Sequence, residues 1–103
     1  MNDVRREVEV LIARVGHWGP PRWTVAVQPA GTRADLIHAL VQRLADLAAT
    51  AEGRVRRHVP RLENDLALPD QLRVMAADLA AAGADPAVLA TAAADVAATR
   101  ACL

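Results

Sequence analysis

The apolar positions of this chain recur mostly at helical spacing. Between Thr32 and Ala51, residues Leu36, Ile37, Leu40, Val41, Leu44, Leu47, Ala48 and Ala51 fall within an arc of about 140° on a helical wheel. Asp35, Gln42, Arg43, Asp46 and Thr50 occupy the other side. The stretch holds no Pro or Gly, and Thr32 with Asp35 three residues on can close its first turn reciprocally. This predicts a long central helix over 32–51, a rod of about 30 Å.

Three further helices follow from the same reasoning. Val4, Val8, Leu11, Ile12 and Val15 make a single stripe that predicts a helix over 3–15, capped by Asn2 or Asp3 and stopped by Gly16. Pro69 suits the first position of a helix over 69–82, with Leu72, Met75 and Leu79 inward and Gly83 at its end. Asp85-Pro86 then opens a helix over 86–101, with Val88, Leu89, Ala92, Val96 and Leu103 facing the core. The short link at 83–85 predicts an antiparallel hairpin of these last two helices.

Two connections break the helical pattern. Gly16–Gly31 holds three of the five glycines and three of the six prolines, and Gly19-Pro20-Pro21 reads as incompatible with helix. Trp23, Val25 and Val27 then alternate, as do Val55, Arg57 and Val59 in the second connection. Leu62–Leu68 suggests a short helical turn capped at Asn64 or Asp65. Structureless loops of about 16 residues are uncommon in compact domains. Either 24–28 pairs with 55–59 in parallel across the central helix, or both segments drape over the helices as extended chain. We favour draping. The expected fold is thus all-α, a single four-helix bundle-like domain with two long extended connections. The alternative is α+β, with a two-stranded parallel pair around the central helix.

Composition narrows what such a domain can do. The chain has 24 alanines, two tryptophans and no Phe or Tyr. Its core must therefore come from Leu, Val and close helix approach. A thin core in 103 residues favours self-association, so a homodimer is expected. Net charge is zero, which argues against a nucleic-acid or membrane-surface binder. The charge is uneven, however: residues 1–61 carry ten Arg against six acids, and 62–103 two Arg against six. The halves either answer each other within one chain or pair between protomers, or the basic half meets an acidic protein partner. One cysteine, Cys102, rules out an internal disulfide. No signal-peptide pattern and no membrane span is read, and a cytoplasmic protein is expected.

Two segments concentrate the candidate chemistry. His17, Trp18, Arg22 and Trp23 could grip a flat ligand or a peptide, or the tryptophans could be lids on a core short of bulk. Arg54, Arg56, Arg57, His58 and Arg61 could hold a phosphate, a carboxylate or an acidic partner surface, or simply be solvated. No Ser exists to act as nucleophile, no His or Cys pair has metal-ligand spacing, and no glycine-rich phosphate loop occurs. The sequence therefore assigns no catalytic residue, no metal and no cofactor. His38, on the flank of the central helix, reads as a boundary residue with a local hydrogen bond.

Overall fold

The computed structural model describes residues 3–103, so the cap expected at Asn2 or Asp3 rests on side chains outside that description. The described chain is all-α. Helix α1 spans Asp3–Val15, a single-turn α2 Pro20–Trp23, α3 Arg33–Ala51, α4 Leu68–Ala81 and α5 Pro86–Ala101, with a 3₁₀ turn at Asp65–Ala67 before α4. All five residues of the predicted α1 stripe are buried. Ile37, Leu40, Val41, Leu44 and Ala48 likewise bury the predicted face of α3, whereas Ala51 ends the helix exposed.

Local chemistry fixes the helix ends. The Asp35 amide donates to the Thr32 hydroxyl at 3.1 Å, and the Thr32 amide donates to the Asp35 carboxylate at 2.9 Å. These bonds satisfy two amides that a helix start otherwise leaves without acceptors. Asn64 rather than Asp65 caps the 3₁₀ turn, its side chain accepting from the Leu66 amide at 2.9 Å. Asp85 caps α5 only through its main-chain carbonyl, which accepts from the Leu89 amide. After α3 and α4 the chain turns through Gly53 (φ 69°) and Gly83 (φ 72°), a left-handed conformation that side chains other than glycine's resist.

Two expectations need correction. Gly19-Pro20-Pro21 does not exclude helix: the two prolines take the first positions of α2, where a missing N–H costs no intrahelical bond. The parallel pair of 24–28 with 55–59 does not form. The described residues contain one isolated antiparallel bridge, Ala26 to Thr32, closed by Val27 N–H to Gly31 O and Arg33 N–H to Val25 O. This local turn leads into α3. The 54–63 connection instead stays extended and lies across the helices.

The packing order also departs from a simple hairpin. Helix α3 packs chiefly on α4, and α1 on α5, with α1–α4 and α3–α5 contacts closing the ring. Helices α4 and α5 share a short link but bury their apolar faces mainly against α1 and α3. Three ion pairs tie the layers: Arg43–Asp95 at 2.7 Å, Arg73–Glu9 at 2.8 Å and Arg100–Glu7 at 2.8 Å. The first joins a cation of the basic half to an acid of the acidic half. The other two run in the opposite sense, so they leave the arginine excess around residues 54–61 in place.

Candidate functional site

The two candidate segments lie differently from what their positions before and after α3 suggest. The first folds inward. Trp23 is fully buried and Trp18 is 7% exposed, and their rings meet edge to face at 5.2 Å between centroids. Such contacts stabilise beyond their buried area. The Arg33 guanidinium sits 4.7 Å over the Trp18 ring while donating to the carbonyls of Arg22 and Leu103. Arg22 reaches His17 at 3.4 Å, and both are exposed. Neither indole offers an open face to a flat ligand. Sequence reasoning passed over Arg33, because an Arg in a first helical turn gives no sign of covering a Trp fifteen residues earlier.

The second segment forms a strap along α3. It starts at the end of the helix, where the Arg54 amide donates to Ala49 O at 2.8 Å. It finishes at the other end, where Arg61 pairs with Asp35 at 2.8 Å and with Asp65 at 3.2 Å. Seven steps of strap, 54 to 61, thus run against fourteen residues of helix, 49 to 35. That is about 21 Å of helical rise, or roughly 3 Å per strap residue, as expected of extended chain.

Side chains of the helices hold the strap by its main chain. The Gln42 amide accepts from Val59 N–H at 2.7 Å and donates to Arg57 O at 2.9 Å. One turn earlier, His38 Nε2 lies 3.1 Å from Val59 O; a carbonyl can only accept, so that nitrogen carries the proton. Gln71 of α4 donates to Pro60 O at 3.3 Å. These bonds seat the Val59 side chain in the core at 8% exposure. The hydrogen bond of His38 is therefore long-range rather than local, and its ring lies 6.2 Å from that of His58.

Apart from Val59, the strap's own side chains face out. Val55 is 79% exposed. Arg54 pairs with Glu52 at 2.9 Å, and Arg56 reaches the Thr50 hydroxyl. Among the described residues, the Arg57 guanidinium has no hydrogen-bonding or ionic partner. Arg54, Arg57 and His58 line an open depression of about 220 Å³ together with Ala45, Ala48, Ala49, Met75 and Asp78. Arg61, then the Thr32 amide, holds the Asp35 carboxyl below the ordinary aspartate value. Arg54 does the same for Glu52.

The structure thus brings together Arg54, Arg57 and His58, and separately His17 with Arg22 and Trp18 with Trp23. Arg61 is held in ion pairs, and Arg56 projects beside Thr50. No three His, Cys, Asp or Glu side chains among the described residues converge as metal ligands. No helix among them is long and apolar enough to cross a membrane. No protein-family model matches the chain, and no curated protein or solved structure matches it either.

Proposed function

We propose that this protein is a non-catalytic interaction module whose arginine strap, residues 54–58, receives an acidic protein surface. One observation carries this reading. The strap's main chain is fastened by Gln42, His38 and Gln71, yet Val55, Arg56 and Arg57 stand in solvent. Fixing the main chain while leaving Arg56 and Arg57 outside suits an interface, where Arg is a frequent anchor. A second copy is one candidate surface, since its residues 62–103 carry the acid excess, and the homodimer expected from the thin core is part of this reading.

The test is crosslinking in the producing cell, read by mass spectrometry, with Arg56→Glu/Arg57→Glu as the comparison. Loss of specific crosslinks in the double variant supports the strap as interface; an unchanged set refutes it. Sedimentation across micromolar concentrations decides the dimer: a monomer at high micromolar concentration removes that part alone.

A second reading rests on the depression beneath the strap. Arg57 and His58 lining it beside alanines and Met75 suit a small carboxylate with an apolar tail. A salt-sensitive thermal shift with short-chain fatty acids, lost in Arg57→Ala, is its signature.

A further inference from the structure

The four longer helices end in two different ways. Helices α1 and α5 each carry an arginine in the last turn, Arg14 and Arg100, where a cation answers the negative end of the helix dipole. Helices α3 and α4 carry none there. Both uncompensated ends meet at one corner of the fold. The last turn of α3 (Leu47, Thr50 and Ala51), the α4–α5 link (Gly83 and Ala84) and the start of α5 (Asp85 and Val88) line an open cleft of about 290 Å³. None of residues 54–61 lines it: Arg54 is held by Glu52, and Arg56 stops at the Thr50 hydroxyl.

The lining divides into an apolar part and a single charge. Leu47, Ala51, Ala84 and Val88 form the apolar part, and all but Ala51 are partly buried. The one ionisable lining residue is Asp85. An aspartate that precedes a helix ordinarily accepts a bond from a first-turn amide. The Asp85 side chain makes no such bond, and it has no hydrogen-bonding or ionic partner among the described residues. The two helix C-termini bring roughly half a negative charge each, and the start of α5 about half a positive one. With the carboxylate added, the corner is left negative, and no Arg or His lines it.

We infer that this cleft binds a small organic cation, a primary alkylammonium with its charged head at Asp85 and its short aliphatic tail on Leu47, Ala51, Ala84 and Val88. The two parts of the ligand answer the two parts of the lining. A bare divalent cation would find one carboxylate, fewer oxygen ligands than such ions take from proteins, and would leave the apolar wall wet. An amino acid with the same tail would bring its own carboxylate against Asp85, so the site selects amines over amino acids. The cleft is separate from the strap, so its failure leaves the acidic-partner reading untouched.

The test is an amide NMR titration of the full chain with n-butylammonium chloride. Norvaline, butan-1-ol and ammonium chloride serve as the carboxylated, uncharged and tail-less counterparts. The expected result is saturable shifts at Thr50, Ala51, Gly83, Ala84 and Val88 with butylammonium. Each counterpart binds about fivefold more weakly or not at all. Asp85→Asn keeps a residue suited to open α5 and weakens butylammonium binding about fivefold at low ionic strength. Far-UV circular dichroism confirms that this variant folds, and the ligand series decides the matter if it does not. Shifts that fail to saturate, or that saturate elsewhere, overturn the site. Equal binding of butan-1-ol, or of butylammonium by Asp85→Asn, overturns the cation, and equal binding of norvaline overturns the selection of amines.

Discussion

The two helix-poor connections are handled in opposite ways, and the contrast shows how one small core supports both stability and display. The segment 17–23 is fastened by its side chains: Trp23 and Trp18 go inward, Arg33 closes over them, and the main chain is left to make its own single turn. The strap 54–61 is fastened by its main chain: Gln42, His38 and Gln71 hold peptide groups, Val59 alone plugs the core, and the remaining side chains stay outside. In a chain of 24 alanines, two indoles are a large share of the available bulk, so they are spent inside. Arginines gain nothing from burial, so the segment carrying them is held by the groups it has left.

This contrast can be broken at several points. Trp23→Ala should cost most, about 3–5 kcal/mol in urea unfolding, because it empties a fully buried site. A loss below about 1 kcal/mol would mean that the inward segment is not core. Gln42→Ala should cost about 1–3 kcal/mol, since Val59 N–H and Arg57 O both lose their partner. Its signature is faster exchange of the Val59 amide with helix content unchanged. Arg33→Ala should cost about 1–2 kcal/mol through the lost indole contact and two carbonyl bonds.

A smaller effect comes with pH. Asp35 has a folded value below its unfolded one, so its contribution is present above the unfolded value and disappears as pH falls through the folded value. Melting temperature should therefore drop below about pH 4, and less steeply in Asp35→Asn. The pair is exposed, so the difference should be small. Smallest of all, Arg56→Glu/Arg57→Glu should leave stability within about 0.5 kcal/mol while removing the proposed partner. A large loss of stability there would make the outward arginines structural after all.

What the sequence disclosed follows range of interaction. Val4, Val8, Leu11, Ile12 and Val15 announce α1 because helical periodicity is local, and Thr32 with Asp35 announces the start of α3 for the same reason. The burial of the tryptophans was anticipated from composition as one of two readings. The role of Gln42 was not legible: on the polar side of α3 and four residues from Asp46, it looks like any solvated glutamine. Only the return of the chain beneath 57–59 gives its amide a task. Pro20-Pro21 misled because two prolines are read as a break, when the first turn is where they do least harm. The link at 83–85 predicted a hairpin because it brings two helix ends together, but it does not decide which faces meet.

The edge-to-face contact of Trp18 and Trp23 has an optical consequence. With no Phe or Tyr, the aromatic ultraviolet signal of the whole chain arises at two rings 5.2 Å apart. Emission and near-ultraviolet dichroism therefore watch a single point, the seat of α2 on α3, and are largely blind to the strap and to the far ends of the helices. Followed together with the far-ultraviolet band, they act as two clocks. If the curves coincide on heating, the indole pair and the helices melt as one unit; if the aromatic signal moves first, α2 lifts away from an otherwise intact helical body.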